Sequence, residues 1–300
     1  MSAPTLTTDT PLTPQSPATS GRPVPGSIPV PGTGRPLVLR WIRSGAKAVW
    51  GAGAVLLFLL LWELGPLYLA PASTRVFLPP LHEVLAALGT LIAKGQLQNH
   101  LAASLTRSAS GFGIAVVSAV ILGLLVAWYG ALDRFLNPLL EVFRNTAALA
   151  LLPVFTLLLG IGETSKISIV AYAAFFPVLL NTIAGVRTVD PLLIRAARSL
   201  GLSNVSLFQK VILPSAVPTI FTGIRMAGTS SILVLIAAEM VGAKAGLGYL
   251  IVNAQSSFLI PDMYAGILTV ALLGLAVNYL LVGVERRFSR WRTAVGSGTA

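Results

Sequence analysis

Three hundred residues, 55% hydrophobic and only 10% charged, exclude a water-soluble globule, in which about a quarter of the side chains carry charge. The 21 Lys and Arg outnumber the 10 Asp and Glu, but these cations flank apolar runs instead of forming a stripe on a soluble domain, so nucleic acid is not expected as a partner. With no cysteine in the chain, disulfides and thiolate metal sites are excluded.

Residues 1–40 read as a disordered tail, with Pro11, Pro14, Pro17, Pro23, Pro25 and Pro29 set among Ser, Thr and Gly. The tail has no apolar core of the signal-peptide kind, so the first hydrophobic span must direct insertion and stay in the membrane. That span runs near Val49 to Ala70, and with the external loop after it makes up residues 41–100. Glu63 sits within the span about two turns from its outer end, where it reaches the interface or pairs with a neighbouring helix. His82 and His100 fall in the following loop and lack the spacing and carboxylate company of a metal site, so they read as solvated.

A helical membrane domain fills residues 101–290. Its spans lie near Gly111 to Tyr129, Ala147 to Ile161, Ile167 to Val186, Met226 to Ala243 and Ala265 to Val284, giving six crossings and an all-α fold when about 20 apolar residues are needed per crossing. The second span carries Gly111, Ala115, Ala119 and Gly123 at four-residue intervals, which permits close helix approach; ordinary packing explains this better than a sliding surface used in gating. The third has only 15 residues and contains Pro153, so it begins around Phe143 or is tilted among its neighbours.

Between the fourth and fifth spans, Arg187 to Arg225 form a charged segment. Asp190 and Pro191 make an N-cap and first-turn pair, and Gly201 stands where a left-handed residue ends the helix. On that helix Leu192, Leu193, Ala196, Ala197 and Leu200 share one face, opposite Arg195, Arg198 and Ser199. Ser203 or Asn204 caps a second turn carrying Val205, Phe208, Val211 and Ile212, expected to stop at Leu213-Pro214. An interfacial helix resting on anionic lipid would also account for Arg195 and Arg198.

Three polar residues at membrane depth remain. Glu239 could line a pathway or tie the fifth span to the turn at Gly246-Leu247-Gly248. Asn181 and Asn278 suit interhelical hydrogen bonds or passing contacts with an oxyanion. Residues 291–300 form a short tail. Basic residues cluster before the first span (Arg35, Arg40, Arg43, Lys47), after the sixth (Arg286, Arg287, Arg290, Arg292) and in the 187–225 segment, which places all three, and both termini, in the cytoplasm.

The spacing from Ala196-Ala197 through Gly201 and Val211 to Leu213-Pro214 resembles the coupling loop of bacterial ABC importer permeases. So do Thr222-Gly223-Ile224-Arg225, Ala238-Glu239-Met240, Gly246-Leu247-Gly248-Tyr249-Leu250, Gly160-Ile161-Gly162-Glu163, Asn181-Thr182 and Gly185-Val186-Arg187. Together these residues are similar to the branch that imports aliphatic sulfonates, taurine and nitrate, over about residues 50 to 290. In that family the first motif position is normally glutamate; here it is Arg195. The resemblance implies the permease fold with a coupling helix in 187–225, and an ATPase-docking role for Arg195, Ala196, Ala197, Leu200, Gly201, Val211, Leu213 and Pro214. It further implies a separate ABC ATPase that uses the ATP and Mg, an extracytoplasmic substrate-binding protein, a second permease copy, and a bacterial inner-membrane setting in lipid.

The chain itself has no Gly-x-x-x-x-Gly-Lys-Ser/Thr phosphate loop; in Gly160 to Lys166 the lysine follows serine. A non-catalytic permease, without a cofactor of its own, is therefore expected. An ion-coupled secondary transporter or channel is the alternative, but it needs a coupling-ion site at a repeat interface, and the sequence shows no internal repeat.

Overall fold

The computed structural model describes residues 37–68, 71 and 76–288, and all regular secondary structure among them is helical. The chain divides after Leu56 into two units. The first contributes the leading part of α1 (Leu37–Tyr68). The second holds the end of α1 and everything after it. Its helices are α2 (Leu81–Ala93), α3 (Gln96–Trp128), α4 (Gly130–Arg144), a 3-10 turn (Ala148–Leu151), α5 (Leu152–Leu159) and α6 (Glu163–Arg187). There follow α7 (Pro191–Ser199), α8 (Asn204–Leu207), a π turn (Phe208–Ile212), α9 (Leu213–Met240), α10 (Leu247–Ser256) and α11 (Ile260–Phe288). The expected tail over 1–40 lies outside the described residues except for 37–40, which open α1, and the tail at 291–300 lies outside them altogether.

Of the six spans expected from the sequence, four are found as single helices among the described residues, together with one broken span. The helices α3, α6, α11 and the run from Asn204 through α9 are long and apolar enough to cross a membrane. The fifth candidate is α4 joined to the 3-10 turn and α5, bent by 88° at the break. The first predicted span falls on α1, of which Gly53–Tyr68 is an apolar helical stretch.

At the centre α6 packs between α3 and α9. The reason is local: small side chains let backbones approach closely, and in lipid this packing substitutes for the absent hydrophobic driving force between helices. The stripe of Gly111, Ala115, Ala119 and Gly123 is buried. A Cβ at Gly111 would stand 2.7 Å from Ile167 O, and one at Gly123 would stand 2.8 Å from Thr182 Cβ. Ala115 and Ala119 join Ala174, Val178, Leu179 and Ala227 in one core cluster. The stripe is thus a helix-packing surface.

Other boundaries differ from expectation for identifiable reasons. The second span begins at Gln96 and not Gly111, because His100, Ser104 and Arg107 interrupt its apolar run but find partners in the fold. As a result His100 lies on α3 and His82 on α2, not in a loop. His82 Nδ1 meets Glu63 Oε1 at 2.7 Å, and the His82 N–H donates to Glu63 Oε2 at 3.1 Å. Glu63 is therefore the anchor between the end of α1 and the start of α2. The chain also does not stop at Leu213-Pro214. Leu213 N–H reaches back to Phe208 O across the π turn, so the donor that Pro214 lacks falls where the wider turn hands over to α9. Ser215 Oγ then donates to Val211 O at 2.7 Å.

Candidate functional site

Two polar constructions stand at opposite ends of α9. The first is the hairpin between α6 and α9. Asp190 caps α7 by accepting the Leu192 N–H at 2.8 Å, and Pro191 sits at the first helical position, where its missing donor costs nothing. Beyond the helix end Gly201 takes φ +77°. Its N–H donates to Arg198 O (2.9 Å) and the Leu202 N–H to Ala197 O (3.2 Å), the paired bonds of a Schellman ending. Ser203 caps α8 through the Ser206 N–H at 3.3 Å.

Packing divides the α7 side chains more finely than the two-faced reading. Ala197 is buried with Val186, Val189, Leu207, Ile212, Ala216 and Ile220, and Ile194, Leu202, Phe208 and Val211 pack on them. Leu192 (64% exposed), Leu193 (50%) and Leu200 (80%) remain open, as do Ala196 and Arg195. Arg195 Nε makes only a long contact to Pro191 O, 3.4 Å. Of the eight residues tied to docking by the resemblance, Ala197 and Val211 thus meet in the inner cluster, Leu213 and Pro214 are half-buried at the start of α9, and Arg195, Ala196, Leu200 and Gly201 face outward. The hairpin is rigidly seated on one side and bare and apolar on the other.

The second construction surrounds Glu239, near the other end of α9. This carboxylate has no exposed surface. Ser104 Oγ donates to it, lying 2.8 and 2.9 Å from its two oxygens; Arg107 Nη1 donates at 2.6 Å and the Gly248 N–H at 3.0 Å. Arg107, 4% exposed, also holds Glu163 through Nε and Nη2, and Ala245 O through Nη1. Ser104 Oγ in turn accepts the Leu247 N–H at 2.9 Å, and His100 Nδ1 accepts the Gly246 N–H at 3.2 Å. The N–H groups of Gly246, Leu247 and Gly248 at the start of α10, which have no partner inside their own helix, are thus taken by side chains from α3 and α9. A negative charge at a helix start is favoured by the helix dipole. The cluster joins α3, α6, α9 and α10. Among the described residues no group of three or more His, Cys, Asp or Glu could hold a metal ion.

Sequence reasoning singled out Glu239 but missed Arg107, Ser104, Glu163 and Lys166, whose Nζ donates to Gly162 O at 3.1 Å. The available signal was a lone arginine within an apolar helix, which must find an acid somewhere in a membrane fold. Asn181 Nδ2 donates to Pro177 O on its own helix at 2.8 Å. Asn278 is half-buried on α11. The structure does not bring Asn181, Glu239 and Asn278 into one site.

Helices long and apolar enough to cross a membrane thus pack around an α3–α6–α9 centre, with an outward-facing hairpin between two of them. The chain belongs to the family of binding-protein-dependent transport system inner membrane components, whose model matches residues 119–291. It is 34% identical over 266 residues to the taurine transport system permease protein TauC of Escherichia coli, covering 87% of this chain and 96% of that one. A probable ABC transporter permease protein of Brucella abortus is 36% identical over 229 residues, 76% of this chain and 92% of the relative. A crystal structure of an amino acid ABC transporter with histidines shares the fold, with a TM-score of 0.53 at 23% identity over 67% of this chain and 97% of that one.

Proposed function

We propose that this chain is the permease subunit of an ATP-driven bacterial importer for a small sulfonate-class oxyanion, and that it works as one of two copies around a central route. In this reading the hairpin faces the cytoplasm and receives a separate ABC ATPase, which binds ATP and Mg, while an extracytoplasmic binding protein delivers the solute. The observation that carries it is the bare apolar surface of Leu192, Leu193 and Leu200 on a helix fixed from behind by Ala197 and Leu202. Exposed leucines on a charged inter-span segment lose hydration when a partner covers them, and each contributes about 1.5–3 kcal/mol if fully buried. A helix locked at its cap and seated on the core moves as one piece with α6 and α9, so a push on it reaches the membrane without being absorbed locally.

The sulfonate class is supported by the similarity to the taurine permease. The basic residues of the 187–225 segment support the inward orientation, and Arg195 in place of the family's glutamate suggests an acidic counterpart on the cognate ATPase. The test is uptake into proteoliposomes by this chain together with its cognate ATPase and binding protein. ATP-dependent taurine or alkanesulfonate accumulation is expected; accumulation of equal size without the ATPase would instead favour the ion-coupled reading.

A further inference from the structure

The broken span carries a feature that the hairpin does not use. Along α4 the polar residues Asp133, Asn137, Glu141 and Arg144 return at helical spacing, within about a quarter of the circumference at 100° per residue. Phe135, Leu139 and Val142 occupy the other side and are exposed, and α4 has no buried residue at all. Within this chain α4 thus carries a polar face and an apolar face on opposite sides.

Depth follows from α6. Asp133 pairs with Arg187 at one end of that helix, 2.8 Å, while Phe143 O accepts from Tyr172 OH at 2.6 Å. Tyr172 lies roughly 14 Å along α6 from Glu163 and roughly 22 Å from Arg187 at 1.5 Å per residue. The last turn of α4 and the break after it therefore sit well inside the membrane. The freed carbonyls there are capped: Asn145 Nδ2 donates to Glu141 O (2.8 Å) and Thr146 Oγ1 to Val142 O (3.0 Å). Non-helical backbone at such depth is tolerated where it is buried in protein or lines a water-filled cavity.

A cavity of about 530 Å³ opens at this break, walled by Arg144, Asn145, Thr146, Tyr172, Asn181 and Ser230 among others. Its hydroxyls have spent their single protons on backbone carbonyls: Tyr172 on Phe143 O, Thr146 on Val142 O and Ser230 on Met226 O. Asn145 and Asn181 have each spent one of two N–H groups. Arg144 has its Nη2 3.2 Å from Glu141 Oε2, with the two side chains 40% and 48% exposed. The donors left over are thus the guanidinium and two amides, a set that suits an acceptor-rich anion.

Resting on the importer reading above, we infer that Arg144 is the pathway contact for the oxyanion head of the solute, with Glu141 as the resident counter-ion that the solute displaces. The pair explains how an arginine is carried at this depth without an unbalanced charge. Exchange of one anion for another keeps passage fast, since the carboxylate returns when the solute leaves.

The chain has no native cysteine, so single-cysteine probes are clean. In the reconstituted complex with ATPase and binding protein, Arg144→Gln is expected to lower taurine uptake per assembled complex at least tenfold, with the apparent affinity set by the binding protein unchanged. Arg144→Lys should recover part of the loss, because it restores the charge but not the fork. Separately, Asn137→Cys, Glu141→Cys and Arg144→Cys should react with a water-borne anionic methanethiosulfonate, while Leu139→Cys and Val142→Cys should not, and taurine should slow the reaction at position 144. Wild-type-like uptake by Arg144→Gln, within twofold, would overturn the inference and leave the importer reading standing. So would equal labelling of both faces of α4, even if the glutamine variant failed to assemble. Failure of the unmodified complex to accumulate any sulfonate would overturn the importer reading and this inference together.

Discussion

The two ends of α9 solve opposite problems. At the Glu239 end Glu239 and Arg107 are enclosed and answered: Arg107 bridges two carboxylates, Ser104 and His100 take backbone donors, and α10 starts on this platform. At the hairpin end the charges face outward, and the apolar side chains Leu192, Leu193 and Leu200 are left bare. Buried polar groups must be fully paired because an unpaired one in low dielectric is costly. An exposed leucine costs little and leaves a surface for something else. The contrast separates a region that fixes helices to one another from a region built to meet a partner, and substitutions should divide along the same line.

The largest effect is expected at the enclosed end. Arg107→Met leaves Glu239 buried without its cation and should destabilise the fold by about 3–5 kcal/mol, seen as a lowered thermal midpoint in detergent. The double change Arg107→Met with Glu239→Gln should cost clearly less than the two single changes added together. Additive losses would show that the two groups do not act as a pair.

Next in size is Gly201→Val at the cap of α7. Its left-handed φ should cost roughly 1–2 kcal/mol with a β-branched side chain, and a loosened hairpin should let ATP hydrolysis proceed with little uptake. A variant with unchanged ratio of solute moved to ATP consumed would remove Gly201 from the coupling path. The smallest stability effect belongs to Leu200→Ser, within about 0.5 kcal/mol, because the side chain touches little of its own chain. Its consequence should appear in the complex instead, as reduced co-purification of the ATPase. Reversal at Arg195 tests the sign of the partner: Arg195→Glu should weaken coupling, and stronger coupling would mean that no acidic counterpart is present.

What the sequence revealed follows the same physical division. Long apolar runs marked α6, α9 and α11, and the Asp190-Pro191 and Gly201 signals marked both ends of α7, because capping chemistry is local. Arg107 and the start of α3 were illegible, since their partners are more than a hundred residues away at Glu239 and Ala245. Helix α4 was hidden by its own function as read here: Asp133, Asn137, Pro138, Glu141 and Arg144 break the apolar run that marks a span, and only the 3.6-residue spacing betrays a helix. The continuation through Pro214 was missed because the π turn that accommodates it has no sequence signature comparable to a cap.

One side-specific labelling experiment bears most directly on the importer reading. With Leu200→Cys as the single thiol, an impermeant reagent should modify the chain in inside-out vesicles, and bound ATPase should block that reaction. Modification from the outside of intact cells, or no protection by the ATPase, would contradict a hairpin that takes up the motion of a nucleotide-hydrolysing partner.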